Sequence, residues 1–253
     1  MVHMQKALVS NIHSVGRTAG FSRYKPETES STRTPTTKQS EELRELTARF
    51  DSFLGKHTSV SRRARGLELD GLWRSALELV SPLHYCTSDV EHFSMALEAY
   101  QSRSTFQIHA GLFLSAIVEK GREDAFEFRI NHIIPIHLLA YKNRKTVTVH
   151  GDVGDSAAHH ARKGSMLVIN GNAGEQLGDC MTGGDIIVNG NCGGMVGRSM
   201  KNGSITVNGD TAELAGYDMR NGRLSLEGEV LSFSATGMGG DIYHKGVRMG
   251  ATQ

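Results

Sequence analysis

Several features are scarce in this 253-residue chain, and each scarcity excludes a class of protein. The three cysteines, Cys86, Cys180 and Cys192, are too few and too irregularly spaced for a disulfide framework or a zinc site. No segment approaches the roughly 18 apolar residues of a membrane-spanning helix. The net charge of +1 gives no reason to expect a polyanionic partner. We therefore expect a cytoplasmic protein that binds neither membranes nor nucleic acid.

Acidic residues are scarce at the start of the chain. Residues 1–39 hold six basic residues against only Glu27 and Glu29, and they are rich in Ser and Thr. This composition predicts a disordered tail over 1–39. An organelle transit peptide has a similar composition and stays open as an alternative.

Proline is confined to the first part of the chain and glycine is concentrated in the second. All four prolines precede residue 146, and 22 of the 29 glycines follow it, which predicts a domain boundary there. Apolar spacing upstream predicts helices over 40–54, from Asp70 to Ser81, and from Ser88, where Glu91 completes a capping box. Period-two patterns predict strands at 105–108 and 125–130, on either side of a helix near 111–120. We therefore expect a small α+β capping domain over 40–145.

The glycine-rich part repeats itself every 19 residues, as Gly171, Gly190, Gly209 and Gly228 show. Each of these glycines closes a short apolar segment that is typical of a β-strand. An earlier copy ending at Gly151 is displaced by 20 residues, which predicts a bulge near residues 163–165. One such strand cannot bury its apolar face alone, but stacked copies can. The repeat therefore predicts a mainly β protein, in which 146–253 forms a right-handed, single-stranded parallel β-helix of about five coils.

Equivalent positions of successive coils should form chemically uniform columns. Methionines recur at the 19-residue period and predict a buried ladder of Met181, Met200, Met219 and Met238. Asparagines at the strand ends predict a second ladder in which side-chain amides bond along the stack, consisting of Asn170, Asn189 and Asn208. A further column, His159, Asp179, Arg198 and Tyr217, is mixed in character and suggests an exposed edge. Both ladders are accounted for by structure alone.

Glycines also recur at fixed places after each strand, where tight corners need positive φ or close approach between coils. The turn glycines are Gly151, Gly154, Gly171, Gly174, Gly178, Gly190, Gly193, Gly197, Gly209, Gly216 and Gly228. Such loops could cradle a phosphate, but a nucleotide loop is a single strand–loop–helix unit and not a spacing that recurs. We therefore expect structural glycines and no bound cofactor.

The Gly-x-x-Gly-x-x-x-Gly spacing, with "MTGGDIIVNGN" and "MKNGSITVNGD" between copies, resembles the C-terminal GXGXG domain of the glutamate synthase large subunit. It is equally similar to the GXGXG-repeat component of formylmethanofuran dehydrogenase. In both families the resemblance implies a right-handed β-helix that holds catalytic parts located elsewhere. This chain has no N-terminal glutaminase cysteine, no FMN barrel and no iron–sulfur cysteine series. The resemblance therefore implies a shape and a supporting role, as in an oxidoreductase or amidotransferase complex.

Catalytic residues are not identified by these patterns. The histidines lack metal-ligand spacing, so we expect no metal site. The first hypothesis is accordingly a non-catalytic scaffold that meets a protein partner or forms a homo-oligomer. The alternative is an enzyme or ligand-binding protein whose site lies between the two halves and uses His132, His137, His150 or His159.

Overall fold

The computed structural model describes residues 40–60, 66–234 and 239–249. The tail predicted over 1–39 and the fourth methionine of the ladder, Met238, lie outside the described residues. Within the described part of the chain, no helix is long and apolar enough to cross a membrane.

In the part of the chain that the structure describes, four α-helices precede the sheet. They are α1 (Glu41–Lys56), α2 (Leu67–Val80), α3 (Thr87–Ala96), which a 3-10 turn (Leu97–Tyr100) extends, and α4 (Phe106–Lys120). The Ser40 hydroxyl accepts a hydrogen bond from the Leu43 amide at the start of α1, as an N-cap residue does. The predicted helices over 40–54 and 70–81 are thus present at nearly the expected bounds.

Two predictions in this region are wrong. Residues 105–108 are not a strand: α4 begins at Phe106, and it is buried on nearly all sides, so its sequence lacks a helical stripe. The capping box of α3 lies at Cys86 and Asp89 instead of Ser88 and Glu91, because the Cys86 amide donates to the Asp89 carboxylate at 3.0 Å.

Among the described residues, eight strands form one sheet in simple sequence order. They are β1 (Ala125–Arg129), β2 (Thr146–His150), β3 (Met166–Asn170), β4 (Thr182–Val188), β5 (Asn202–Val207), β6 (Arg223–Leu226), β7 (Asp241–His244) and β8 (Val247–Arg248). The first seven pair in parallel, and β3, β4, β5 and β6 follow one another at the predicted 19-residue offset. The chain is therefore a parallel β-solenoid.

The solenoid begins earlier than the sequence indicated. The predicted strand near 125–130 exists, but β1 pairs in parallel with β2 and forms the first coil instead of part of a separate sheet. The stack has about six turns where five were expected. We number the coils by their strands, so that coil 1 starts at β1. The bulge predicted near 163–165 is visible in the hydrogen bonds to the preceding coil. The Arg162 amide donates to the Asn143 carbonyl and the Met166 amide donates to the Lys145 carbonyl, so the later coil has extra residues between these two bonds.

Both ends of the stack are covered. Helix α4 packs on coil 1. Gly111 of this helix lies so close to the His137 carbonyl that a side chain would not fit, and the Ser115 hydroxyl accepts a hydrogen bond from the Tyr141 amide at 3.0 Å. At the other end, β8 turns back antiparallel to β7 after the left-handed pair Lys245 and Gly246. Such covers hide the open edges that a parallel stack would otherwise expose.

Candidate functional site

The asparagine ladder runs along the outer ends of the strands. The Asn189 amide donates to Asn170 Oδ1 at 2.7 Å, and the Asn208 amide donates to Asn189 Oδ1 at 2.8 Å. The middle residue, Asn189, thus donates to the previous coil and accepts from the next. This use of the side chains is structural.

The methionine column lines the interior. Met181, Met200 and Met219 have no exposed surface, and they sit between coils beside the branched strand residues. Flexible thioether chains fill the irregular volume behind the corner. These residues belong to the core.

The turn glycines divide into two kinds, and only one of them takes positive φ. Gly178, Gly197 and Gly216 are left-handed with φ of 69° to 74°, and Gly151 has φ 130°. The other turn glycines permit close approach: a Cβ at Gly190 would lie 2.5 Å from the Gly171 carbonyl oxygen. The same crowding against the preceding coil applies to the remaining turn glycines, which are Gly154, Gly171, Gly174, Gly193, Gly209 and Gly228.

Two further structural columns were not predicted from the sequence. The side-chain oxygens of Asp152, Asn172, Asn191 and Asp210 each accept the backbone N–H of the following coil, which is Asn172, Asn191, Asp210 and Glu229 respectively. Gly184 and Gly203, in the first residues of β4 and β5, and Gly222, just before β6, turn a corner with φ of 92° to 102°. The sequence signals of the two columns are the Asp or Asn after each strand glycine and the Gly-Gly or Asn-Gly pair before the apolar part of each strand.

The surface between the end of one strand and the start of the next is built differently, and we call it the turn face. Its backbone alternates between left-handed and right-handed residues: Ser156, Ala158 and His160 of coil 2 have φ near 57°. Five columns of residues run along it. In order around the coil they are the acidic column Asp155, Glu175, Gly194, Glu213; the second column Ser156, Gln176, Met195, Leu214; the central column His159, Asp179, Arg198, Tyr217; the fourth column His160, Cys180, Ser199, Asp218; and the basic column Arg144, Arg162, Thr182, Lys201, Arg220.

The central column was expected to be an exposed edge, and this is correct only for its end. Tyr217 is 40% exposed, but Asp179 is only 7% exposed. Tyr141 of coil 1 extends the column and stacks on the His159 ring at 5.7 Å with an interplanar angle of 15°. The column is therefore a half-buried stack of unlike groups.

Two basic side chains of the central column, His159 and Arg198, face the Asp179 carboxylate. His159 Nδ1 lies 3.4 Å from Asp179 Oδ2, and the Arg198 guanidinium approaches the same oxygen at 3.9 Å. Burial by itself would raise the pKa of Asp179, but His159 and Arg198 outweigh it and hold that pKa below its usual value. Asp179 is therefore a fixed anion that orients Arg198.

Arg198 forms one wall of a shallow, open depression of about 340 Å³, lined by Gln176, Met195, Arg198, Leu214 and Tyr217. Its guanidinium donates to Gln176 Oε1 at 3.3 Å. A guanidinium carries five donors, so this contact and the one to Asp179 leave others for an incoming carboxylate or carbonyl. The depression combines a cation, an aromatic ring and two apolar side chains, and Arg, aromatic residues and Met are enriched in protein interfaces.

The neighbouring histidines and cysteine do not form a nucleophilic site. His159 and His160 do not point apart as an extended chain would, because the backbone turns and their rings lie 4.2 Å apart. Burial and the adjacent Asp179 raise the pKa of the Cys180 thiol to about 11, so it is not a thiolate near neutral pH. Cys192 is buried at another position of its coil.

The four histidines of the alternative hypothesis occupy separate settings. His132 contacts the Met95 carbonyl at 2.9 Å, and His150 pairs with a carboxylate of β1 at 2.8 Å on the outer strand face. His137 accepts from the Asp155 amide at 2.7 Å. The structure does not bring them together into one site, and no group of three His, Cys, Asp or Glu side chains among the described residues could hold a metal ion.

Comparisons with protein-family models, curated proteins and solved structures gave no match to this chain.

Proposed function

We propose that this protein is a non-catalytic assembly module that uses its turn face to bind another protein. The observation that carries the proposal is the contrast between the turn face and the columns that hold the solenoid together. The inward-facing columns are uniformly apolar, and the asparagine ladder pairs with itself along the stack. The turn face alternates charged, aromatic and apolar groups that the stack does not need.

A second support is the rigidity of this surface. Its backbone groups are hydrogen-bonded from coil to coil, as in His160 N–H to the Asp179 carbonyl at 2.9 Å and Cys180 N–H to the Arg198 carbonyl at 2.9 Å. A partner would therefore meet side chains that are already held in place, which reduces the ordering cost of binding.

The GXGXG resemblance points the same way. In glutamate synthase and formylmethanofuran dehydrogenase, a solenoid with this spacing supports chemistry that takes place elsewhere. The parallel solenoid with a 19-residue offset is in accord with that resemblance. By analogy, the partner of this chain belongs to an oxidoreductase or amidotransferase complex.

A ligand-binding role between the helices and the first coils is the second candidate. It is favoured by one observation: Asp70 of α2 accepts from Lys142 Nζ at 2.6 Å and from the Tyr141 hydroxyl at 3.1 Å. These contacts also explain the cluster as a tie between helix and solenoid, since the Lys142 donor holds the pKa of Asp70 below its usual value. The assembly role therefore takes precedence.

The test compares two matched double variants of the full chain. R198A/Y217A removes a cation and an aromatic ring from the turn face. R223A/Y243A removes the same two residue types from the outer strand face, where the Arg223 guanidinium lies 4.9 Å from the centre of the Tyr243 ring. Mass by light scattering, alone and after purification from the native host, reports whether the chain is assembled.

We expect the unmodified chain and R223A/Y243A to be assembled, either with copies of themselves or with a stoichiometric partner. R198A/Y217A should be an isolated monomer with unchanged circular dichroism. The proposal fails when the unmodified chain is an isolated monomer in both preparations. Equal loss of assembly in the two double variants also contradicts it.

A further inference from the structure

The turn face carries opposite charge along its two borders. The acidic column holds Asp155, Glu175 and Glu213, and the basic column holds Arg144, Arg162, Lys201 and Arg220. Both columns arise from one repeat, so their charges recur at the same coil spacing of about 4.8 Å. A second turn face can therefore bring its basic column level with the acidic column of the first, with opposite charges meeting directly in coils 2 and 5.

Each border carries like charges on neighbouring coils. Among the described residues, Arg144, Arg162 and Lys201 form no ion pair, and Arg220 of the same column lies 3.9 Å from Asp218 Oδ2. On the acidic side, burial together with Asp155 and Glu213 raises the pKa of Glu175. Like charges on adjacent strands repel, so both borders gain when an opposite charge approaches from outside.

The centre of the face suits close contact. Tyr217 is 40% exposed, and Met195 and Leu214 line the depression beside it. Aromatic and Met side chains at the middle of a charged rim are typical of the contacts that dominate binding energy between proteins.

We infer that two copies of this chain associate through their turn faces about a twofold axis parallel to the solenoid axis. This rotation exchanges the two borders, so the acidic column of one copy faces the basic column of the other. A twofold axis across the solenoid would instead place acid against acid. The charge pattern therefore selects the parallel dimer.

The pairing can be read coil by coil. In coil 2, Asp155 of one copy faces Arg162 of the other, and in coil 5, Glu213 faces Arg220. Lys201 of coil 4 lies one coil away from Glu175. The twofold symmetry makes each pair twice.

The size of the face sets the strength of the dimer. Five coils of about 4.8 Å and a width of eight residues at about 3.3 Å each give a flat area of roughly 600 Å² per copy. Stable interfaces bury about 800 Å² per partner, so this dimer is weak and loses affinity as salt screens the rim charges. Light scattering at about 50 µM protein in low salt should give twice the 27.5 kDa chain mass, and about 1 M salt should shift it to the monomer.

Charge reversal tests the arrangement directly. Glu213 is exposed and the Arg220 side chain is 66% exposed, so the variants should fold. E213R alone and R220E alone each place like charges opposite each other twice, and we expect each to dimerise at least about tenfold more weakly. Mixing the two variants restores two attractive pairs, and the double variant E213R/R220E does the same within one sequence. We expect dimers in both cases.

The inference rests on the proposed function, but the two fail differently. Stronger dimers for E213R alone would mean that acid faces acid and would overturn the parallel arrangement. Monomers of the unmodified chain in low salt would overturn the self-association. When that monomer still retains a host partner that R198A/Y217A loses, the assembly role survives and only the choice of a second copy is wrong.

Discussion

His109 couples the stability of the helical cap to pH. It has no exposed surface, and neither ring nitrogen has a hydrogen-bond partner among the described residues. The Phe53 ring packs edge-on against it at 5.1 Å, and the His57 ring lies 6.2 Å away. Burial first, and then the nearby His57, lower the pKa of His109 from 6.5 to about 4.

The sign of the effect follows from which state binds the proton. Between pH 6.5 and about 4, the unfolded chain is protonated at His109 and the folded chain is not. The free energy of unfolding therefore falls as the pH is lowered through this window. At about 1.4 kcal/mol per pH unit, the two pKa values correspond to about 3 kcal/mol once the pH is below both. At about pH 4.5 most of that loss, about 2–3 kcal/mol, is already present.

The perturbation is His109→Leu, which places an apolar side chain beside Phe53 and removes the titrating group. Urea unfolding followed by circular dichroism at about pH 7.5, 6.5, 5.5 and 4.5 gives the free energy of unfolding of both chains. We expect the unmodified chain to lose about 2–3 kcal/mol more than H109L between the highest and the lowest pH. His57→Gln is the control for the second histidine, whose pKa burial also lowers. Parallel pH profiles for the unmodified chain and H109L would refute the reasoning.

Three further predictions concern the stack. Gly190→Ala places a Cβ 2.5 Å from a carbonyl oxygen and should cost more than about 2 kcal/mol in urea unfolding, whereas Gly71→Ala, with open space inside α2, should be neutral or stabilising by up to about 1 kcal/mol. Met200→Ala should cost about 2–5 kcal/mol by the same measurement because the side chain is fully buried, and Met200→Leu less than about 1.5 kcal/mol. Asn189→Ala breaks two ladder hydrogen bonds and should lower the thermal midpoint by an amount equivalent to about 1–2 kcal/mol; an unchanged midpoint would mean that the exposed amides gain nothing over water.

The helical half shows where local pattern stops being informative. The alternation at 105–108 indicated a strand, yet the segment is the start of α4. Twelve of the fifteen residues of this helix are buried, between the other helices and coil 1. A helix that is apolar on all sides has no stripe, and a short apolar run cannot be assigned by period alone.

The start of the solenoid was missed for a related reason. Strand β1 has the apolar alternation of the later strands, with Phe126 and Phe128 inward, but it is followed by Ile130 where later coils have glycine. Gly151 of the next coil lies against the Asn131 backbone, so the close approach there needs only one glycine. Coil 1 therefore lacks the glycine that marks the later coils in the sequence.

The parallel stack and its 19-residue period can be read from the amino-acid sequence, because each coil must present the same side chain at the same place to bury its strand. The asparagine and methionine ladders can be read in the same way, since they depend only on register. The turn face is different: its left-handed residues are mostly not glycine, so only Gly178, Gly197 and Gly216 mark the alternation of backbone hand in the sequence. That backbone, visible only in the folded chain, buries Asp179 beside His159 and Arg198 and separates the acidic border from the basic one. The candidate site therefore depends on the backbone conformation of the corners, whereas the sequence repeat predicts only that corners are present.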